Sequence, residues 1–250
     1  MNSEQQIILE SSQYYYDQYL PHISVDTVIF GFAKGNLKVL MLKMKFNKQW
    51  FLPGGYMYKN EDLIVASKRI LKERAGVDNI FLKEFGVFGN HDRYKDAFKD
   101  LPGEIWFKQR FVSVGYYALV NYDKVIPKMD IFSEACEWVD LDSLHDLTIT
   151  MDHKKIIEKA LYTLRTEISY QPIGYNLLPE KFTLPELQKL YEVILGRNLN
   201  RGNFYRKIKN LRILNKLDEQ RRGGNHKAPD LYSFDEENYH RALESGLNNW

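Results

Sequence analysis

The residues whose spacing could do chemistry lie in Gly54–Val77, GGYMYKNEDLIVASKRILKERAGV. From Gly55 the chain runs five residues to Glu61 and seven more to Arg69, then Ile70-Leu71-Lys72-Glu73-Arg74 leads to Gly76-Val77. Positions 70, 73 and 74 are spaced i, i+3, i+4, so on a helix they share one face. Three carboxylates placed this way could hold hard divalent cations through oxygen ligands. Such cations stabilise phosphate charge and generate a nucleophile from water. Here the positions read Ile70, Glu73 and Arg74. One potential ligand is aliphatic and another is itself a cation. A single carboxylate holds magnesium poorly, and Arg74 repels it. Glu73 is expected to pair with Arg69, four residues earlier, or with Arg74. No catalytic residue, metal ligand or cofactor is therefore assigned.

The spacing resembles the Nudix box, whose usual pattern ends Arg-Glu-apolar-x-Glu-Glu-x-Gly-apolar, and Trp50 and Leu52-Pro53-Gly54-Gly55 lead into it as in that family. In the family the box is a loop followed by a helix, and its last three glutamates bind the cations that activate water against a pyrophosphate. The resemblance implies a Nudix scaffold. The loss of two of the three carboxylates implies that the scaffold does not hydrolyse.

The elements that must position this box follow from periodicity. Val25–Phe32 and Leu37–Lys43 are β-rich runs joined across Lys34-Gly35-Asn36, a hairpin. Trp50–Gly55 is extended. The box helix, opened by Asn60 or Glu61, carries Leu63, Ile64, Ala66, Ser67, Ile70 and Leu71 on one stripe and ends at Gly76. Ile80–Phe88, Phe107–Leu119 and Ala135–Asp140 read as strands. Gly89–Ile105, with His91-Asp92-Arg93, reads as a solvated loop in which Asp92 and Arg93 pair locally. Asp152 is expected to cap a helix through Ile168. The adjacent Asp152-His153 pair has no serine or cysteine motif to make it catalytic. The tyrosine-rich start, Met1–Ser24, is read as a helix packed on this domain or as part of a dimer contact.

With 250 residues, 44% hydrophobic and 14% aromatic, the chain can bury real cores in one large domain or two modest ones. Its one cysteine, Cys136, excludes an intramolecular disulfide framework. No secretory signal is visible and the longest apolar runs are short of a membrane span, so a cytoplasmic protein is expected. The net charge of +2 conceals an asymmetry: residues 197–227 hold ten Lys/Arg against two acids, +8, which leaves −6 for the rest. Such local basicity suggests a polyanionic partner, although a solvated basic face would look the same.

Ser169–Pro179, with two prolines and a glycine, reads as a connector. Thr183-Leu184-Pro185-Glu186 then starts a helix with a capping box, and Gly196 ends it. A second helix, Arg201–Leu214, turns Phe204, Ile208, Leu211 and Ile213 inward and its basic residues outward. A β-hairpin follows, with a basic, glycine-rich tip at Gln220–Lys227. Helix, turn, basic helix and hairpin is the order of a winged helix-turn-helix, whose second helix enters the major groove.

A Nudix domain followed by this module resembles the Nudix-related transcriptional regulators of bacteria. Asp152–Arg165, Pro172–Pro179, Phe182–Arg197 and Asn203–Ile208 carry the nearer match, over about residues 25–235. The expected fold is α/β, a Nudix α/β/α sandwich in residues 1–168, a linker in 169–181 and a winged helix domain in 182–250. The resemblance implies a homodimer on a palindromic double-stranded DNA operator, answering to a small-molecule effector in the Nudix domain. The SVDTVIFGF start and the aromatic-rich entry resemble the arabinose-type branch, so the expected effector is a pentose such as L-arabinose, acting on a repressor of sugar catabolism. The alternatives are an ADP-ribose-sensing repressor of NAD biosynthesis, an active Nudix pyrophosphohydrolase, and an RNA-binding or scaffold protein. For DNA the candidates are Arg197, Arg201, Asn203, Arg206, Lys207, Lys209, Arg212, Arg221, Arg222 and Lys227. For the effector they are Trp50, Tyr56, Asp92 and Arg93, with Trp106 beside them, and Arg69, Arg74 and Arg93 could compensate a pyrophosphate for the absent metal.

Overall fold

A computed structural model describes residues 3–76, 80–94, 97–101, 103–169, 171–221 and 228–245. The chain divides into two compact units, Met1–Gly31 with Lys38–Ala160, and Phe32–Leu37 with Leu161–Trp250.

In the first unit, α1 (Ser3–Gln18) leads directly into β1 (Tyr19–Ala33). Lys34 and Gly35 both take positive φ, 53° and 78°, the two-residue turn whose twist suits a hairpin, and β2 (Asn36–Met44) returns. β3 (Trp50–Phe51), β4 (Gly54–Tyr58), α2 (Leu63–Ala75), β5 (Phe81–Phe88), β6 (Val112–Val120) and β7 (Ser133–Asp140) follow, and α3 (His153–Glu167) starts in this unit and continues into the second after Ala160. Among the described residues, seven strands make one mixed sheet in the order β3-β2-β1-β6-β5, with β4 on β1 and β7 on β2. β1 and β6 run parallel, Ile23 to Gly31 against Val112 to Val120.

Side chains alternate along β1. Val25 and Ile29 pack on the Ile70, Leu71 and Ala75 stripe of α2, whereas Asp26 points the other way, towards His153 at the start of α3. The box helix is therefore held by Ala66, Ser67, Ile70, Leu71 and Ala75, whereas Ile64, expected on the same stripe, is 45% exposed because it lies in the first turn on the outer side. Gly76 ends the helix at φ 70°. It begins at Leu63, after Asp62, two to three residues later than the sequence suggests. The strand expected over Phe107–Leu119 starts only at Val112, because Trp106–Lys108 form a helical turn that sinks Trp106 into an aromatic core.

In the second unit, β8 (Phe182–Thr183) leads into α4 (Leu184–Leu195) through the expected capping box: Thr183 Oγ1 accepts from Glu186 N and the Glu186 side chain accepts from Thr183 N. Arg165 Nε donates to Ile194 O at 2.7 Å, satisfying one of the carbonyls left open at the end of α4. α5 (Arg201–Asn210) is capped by Asn200 and buries Phe204 and Ile208. It stops four residues short of the expected Leu214 because Arg212 turns to φ 55°, outside helical space. β9 (Leu214–Gln220) and β10 (Asp230–Phe234) complete a three-stranded sheet in the order β8-β10-β9, and α6 (Glu236–Ser245), absent from the sequence reading, closes the unit.

Candidate functional site

The first unit holds a cavity of 340 Å³, within the size range of small-molecule sites. Its walls come from α1, the start of β1, β4, the C-terminal half of α2, the loops around residues 93–111 and 130–132, and His153. Rings dominate one side: Tyr15 meets Tyr56 edge-on at 5.5 Å and Phe107 at 4.9 Å, and Tyr56 lies 5.0 Å from Phe111. Burial pushes the Tyr15 phenol up to about 12, with the Asp130 carboxylate adding to it, and raises Tyr56 as well. Both hydroxyls stay protonated donors.

Ion pairs make the polar side. Arg93, 5% exposed, donates Nη2 to Asp26 Oδ2 at 2.8 Å and Nε to both oxygens of Asp152 at 3.1 Å. Burial alone would raise the Asp26 carboxyl, but adjoining His153 and the permanently charged Arg93 hold it below the usual carboxylate range. Arg69 grips Glu61 with Nε and Nη2 at 2.8 and 2.7 Å, donates Nη2 to Tyr56 O and reaches Glu73 at 3.3 Å. Glu73 thus pairs with Arg69, one of its two expected partners. Arg74 meets Asp130 at 3.0 Å. Ile70, 1% exposed, belongs to the core and offers nothing to a ligand. Among the described residues no cluster of three or more His, Cys, Asp or Glu is placed to hold a metal.

Of the effector candidates, Tyr56 and Arg93 line the cavity and Trp50 and Asp92 do not. Trp50 pairs by its backbone with Thr148 and Thr150, under the ammonium of Lys43. Asp92 is exposed and pairs with His91, not with Arg93 as expected from the local sequence. Trp106 is wholly buried behind the lining. Sequence reasoning passed over Asp26 and Tyr15 as site residues, and it set Asp152 and His153 aside as a cap and a pair without a catalytic motif. Asp26 carries a usable signal, a lone acid within an apolar strand, which needs a partner when buried. Asp152 does stand before α3, its carbonyl accepting from Ile156 N, but its carboxylate goes to Arg93.

The second unit displays the basic candidates on α5 and its flanks. Arg197, Arg201, Asn203, Arg206, Lys209 and Arg212 are exposed, while Lys207 is half-buried and burial lowers its ammonium. Arg206 Nη2 donates to Asn203 Oδ1 at 2.9 Å, and Arg201 stacks over Tyr205. Arg221 is exposed but held by Glu186 and Lys181 O. Arg222 and Lys227 lie outside the described residues.

Residues 20–160 match the NUDIX domain and residues 174–234 the NrtR DNA-binding winged helix domain. Over 224 residues the chain is 31% identical to the ADPR responsive transcriptional repressor NtrR of Acinetobacter baylyi, covering 88% of this chain and 84% of that one. The chain belongs to the NrtR family of Nudix-related transcriptional regulators. The crystal structure of Shewanella oneidensis NrtR complexed with a 27mer DNA is similar, with a TM-score of 0.73, 27% identity and coverage of 87% and 95% of the two chains. The MutT/nudix family protein from Enterococcus faecalis shares the fold at a TM-score of 0.64 and 23% identity, over 90% and 93%.

In this NrtR-family chain His153 makes the cavity wall sensitive to acid. Its Nδ1 accepts from Leu52 N at 2.9 Å, so the neutral ring carries its proton on Nε2, 3.7 Å from Asp26 Oδ1. Burial lowers the imidazole below its ordinary value, against the pull of Asp26. Below the unfolded pKa of about 6.5 the unfolded chain therefore binds a proton that the folded chain refuses. This contribution is fully present above pH ~6.5 and is lost as pH falls towards the lower folded value, at up to ~1.4 kcal/mol per pH unit. Urea midpoints measured between pH 7.5 and 5.5 should fall, and His153→Gln should flatten that slope. An unchanged slope in the variant would assign it to other groups.

Proposed function

We propose that this protein is an effector-responsive repressor that binds a palindromic operator as a homodimer through α5 and its wing, and senses an ADP-ribose-type nucleotide in the first-unit cavity without hydrolysing it. The observation that carries the reading is the composition of the cavity around a box stripped of carboxylates. A diphosphate needs cations, and Arg69, Arg74 and Arg93 line the cavity. A base needs rings to stack on, and Tyr15, Tyr56, Phe107 and Phe111 supply them. Ribose hydroxyls need acceptors, which Asp26, Glu73 and Asp130 provide.

A pentose would use the rings and the acceptors but has no charge for the three arginines to meet. The similarity to an ADPR responsive repressor points the same way, so the nucleotide replaces the arabinose expectation, in line with the branch of the family that represses NAD biosynthesis. With Ile70 in the core and Arg74 on Asp130, the cation-assisted attack of water lacks its ligands. A regulator requires only that effector affinity differ between the DNA-competent and DNA-incompetent forms.

Titration calorimetry should show binding of ADP-ribose and no heat from L-arabinose. Added ADP-ribose should release a palindromic operator fragment in a band-shift assay, and the nucleotide should be recovered intact after incubation with magnesium. Binding of arabinose with ADP-ribose silent would overturn the effector, and magnesium-dependent cleavage would overturn the loss of catalysis.

A further inference from the structure

Three carboxylates at positions 70, 73 and 74 would place a charge of −3 on one helix face, whereas Ile70, Glu73 and Arg74 sum to zero. The face that a diphosphate would approach is thus three units more positive, a change in the same direction as a bound divalent cation would make. The three substituted or retained groups are not equivalent in the folded protein. Ile70 is sealed between Val25 and Tyr116, and a Cβ added at Gly55 would stand only 3.0 Å from its Cγ1. Glu73 is drawn to Arg69. Arg74 lines the cavity.

The three cavity arginines also differ in what they have left to give. Arg69 donates from Nε, Nη1 and Nη2 to Glu61, Glu73 and the Tyr56 carbonyl. Arg93 is spent on Asp26 and Asp152, with its side chain 1% exposed. Arg74 uses Nη2, on Asp130 Oδ2 at 3.0 Å and on Gly54 O at 3.5 Å. Among the described residues its Nε, which is buried, has no hydrogen-bond partner. Asp130 is itself fixed from its own loop, accepting from Phe132 N and from Ser133 Oγ. It therefore orients the guanidinium through Nη2, while the arginine side chain, 17% exposed, still lines the cavity, where a guanidinium edge suits a phosphate oxyanion.

We propose that Arg74 is a built-in cation standing where the box helix would otherwise bind metal, and that it holds the diphosphate of the nucleotide effector directly, so that sensing needs no divalent ion. This rests on the nucleotide reading above. It gives the substituted box position a duty of its own: the residue that forbids magnesium is the residue that replaces it.

The test is calorimetric titration of the full chain with ADP-ribose, in EDTA and in millimolar magnesium. Equal affinity in the two buffers is expected. Arg74→Gln should weaken ADP-ribose at least tenfold, with Arg74→Lys recovering part of the loss. Because Arg74→Gln leaves Asp130 without its ion pair, the double variant Arg74→Gln/Asp130→Asn serves as a second test, and the same loss is expected. Adenosine, which lacks the diphosphate, should bind wild type and Arg74→Gln alike. Binding of ADP-ribose that requires magnesium, wild-type affinity in both Arg74→Gln variants, or an equal loss for adenosine would overturn the role of Arg74 while leaving the nucleotide reading intact. Failure of ADP-ribose to bind the wild-type chain in either buffer would overturn the nucleotide reading itself, and this proposal with it.

Discussion

Replacing Arg93 by alanine is expected to cost about 3–5 kcal/mol of unfolding free energy, as breaking a buried ion pair from one side does. The side chain is 1% exposed, and Asp26 and Asp152, which it bridges, are 10% and 13% exposed. Arg93 sits on the loop after β5, Asp26 on β1 and Asp152 at the start of α3, so one guanidinium ties three separate elements. Its removal leaves two carboxylates facing one another with only a largely neutral His153 nearby, in a place too dry to solvate them. The pH dependence should change accordingly. In the variant, acid should restore part of the lost stability by protonating the stranded carboxylates. In the wild type, Asp26 lies below its ordinary value, so its contribution is present above about pH 4 and is lost as pH falls further. Urea denaturation of Arg93→Ala across pH 4–7.5 checks both points. Arg93→Met combined with Asp26→Asn and Asp152→Asn should be far less damaged, since no charge is left unpaired. A loss below about 1 kcal/mol for Arg93→Ala would mean that water solvates the cluster.

On the DNA side the largest single effect is expected from Arg206. It is exposed on α5, one turn from Asn203, and the two side chains are joined at 2.9 Å. An arginine–asparagine pair on the outer face of a recognition helix can address base edges. Arg206→Ala should cost roughly 1–3 kcal/mol of operator affinity and relax discrimination at one position of each half-site. Asn203→Ala should cost less than additively when combined with it, because the two side chains orient one another. Arg221, held by Glu186, should act mainly through a shallower dependence of affinity on salt. Fluorescence anisotropy on an operator and its single-base variants, at several salt concentrations, separates these effects. If Arg206→Ala weakened all sequences equally and lowered the salt slope by about one, Arg206 would be a phosphate contact.

What the sequence determined by itself is what local physics decides. The box spacing, the apolar stripe of α2, the Thr183–Glu186 capping box and the concentration of charge on α5 all depend on residues within a few positions of one another. All four can therefore be read without tertiary knowledge, as can the absence of two carboxylates from the box. The termini of elements were less legible. α5 stops at Asn210 because of one left-handed residue, Arg212, and Trp106 leaves its expected strand to fill an aromatic core.

The cavity was decided by tertiary structure. Arg93 finds partners 67 and 59 residues away, and no local pattern links Val25–Phe32 to the start of α3. Chain neighbours could not be separated either: Phe51 and Arg93 face the cavity, whereas Trp50 and Asp92, one residue earlier in each case, do not. In β3 successive side chains point to opposite faces, and the turn at residues 91–94 likewise sends neighbours in different directions, so being next to a functional residue in sequence says little about sharing its site. Only the packing of the sheet, α1 and the loops settles which face becomes the wall.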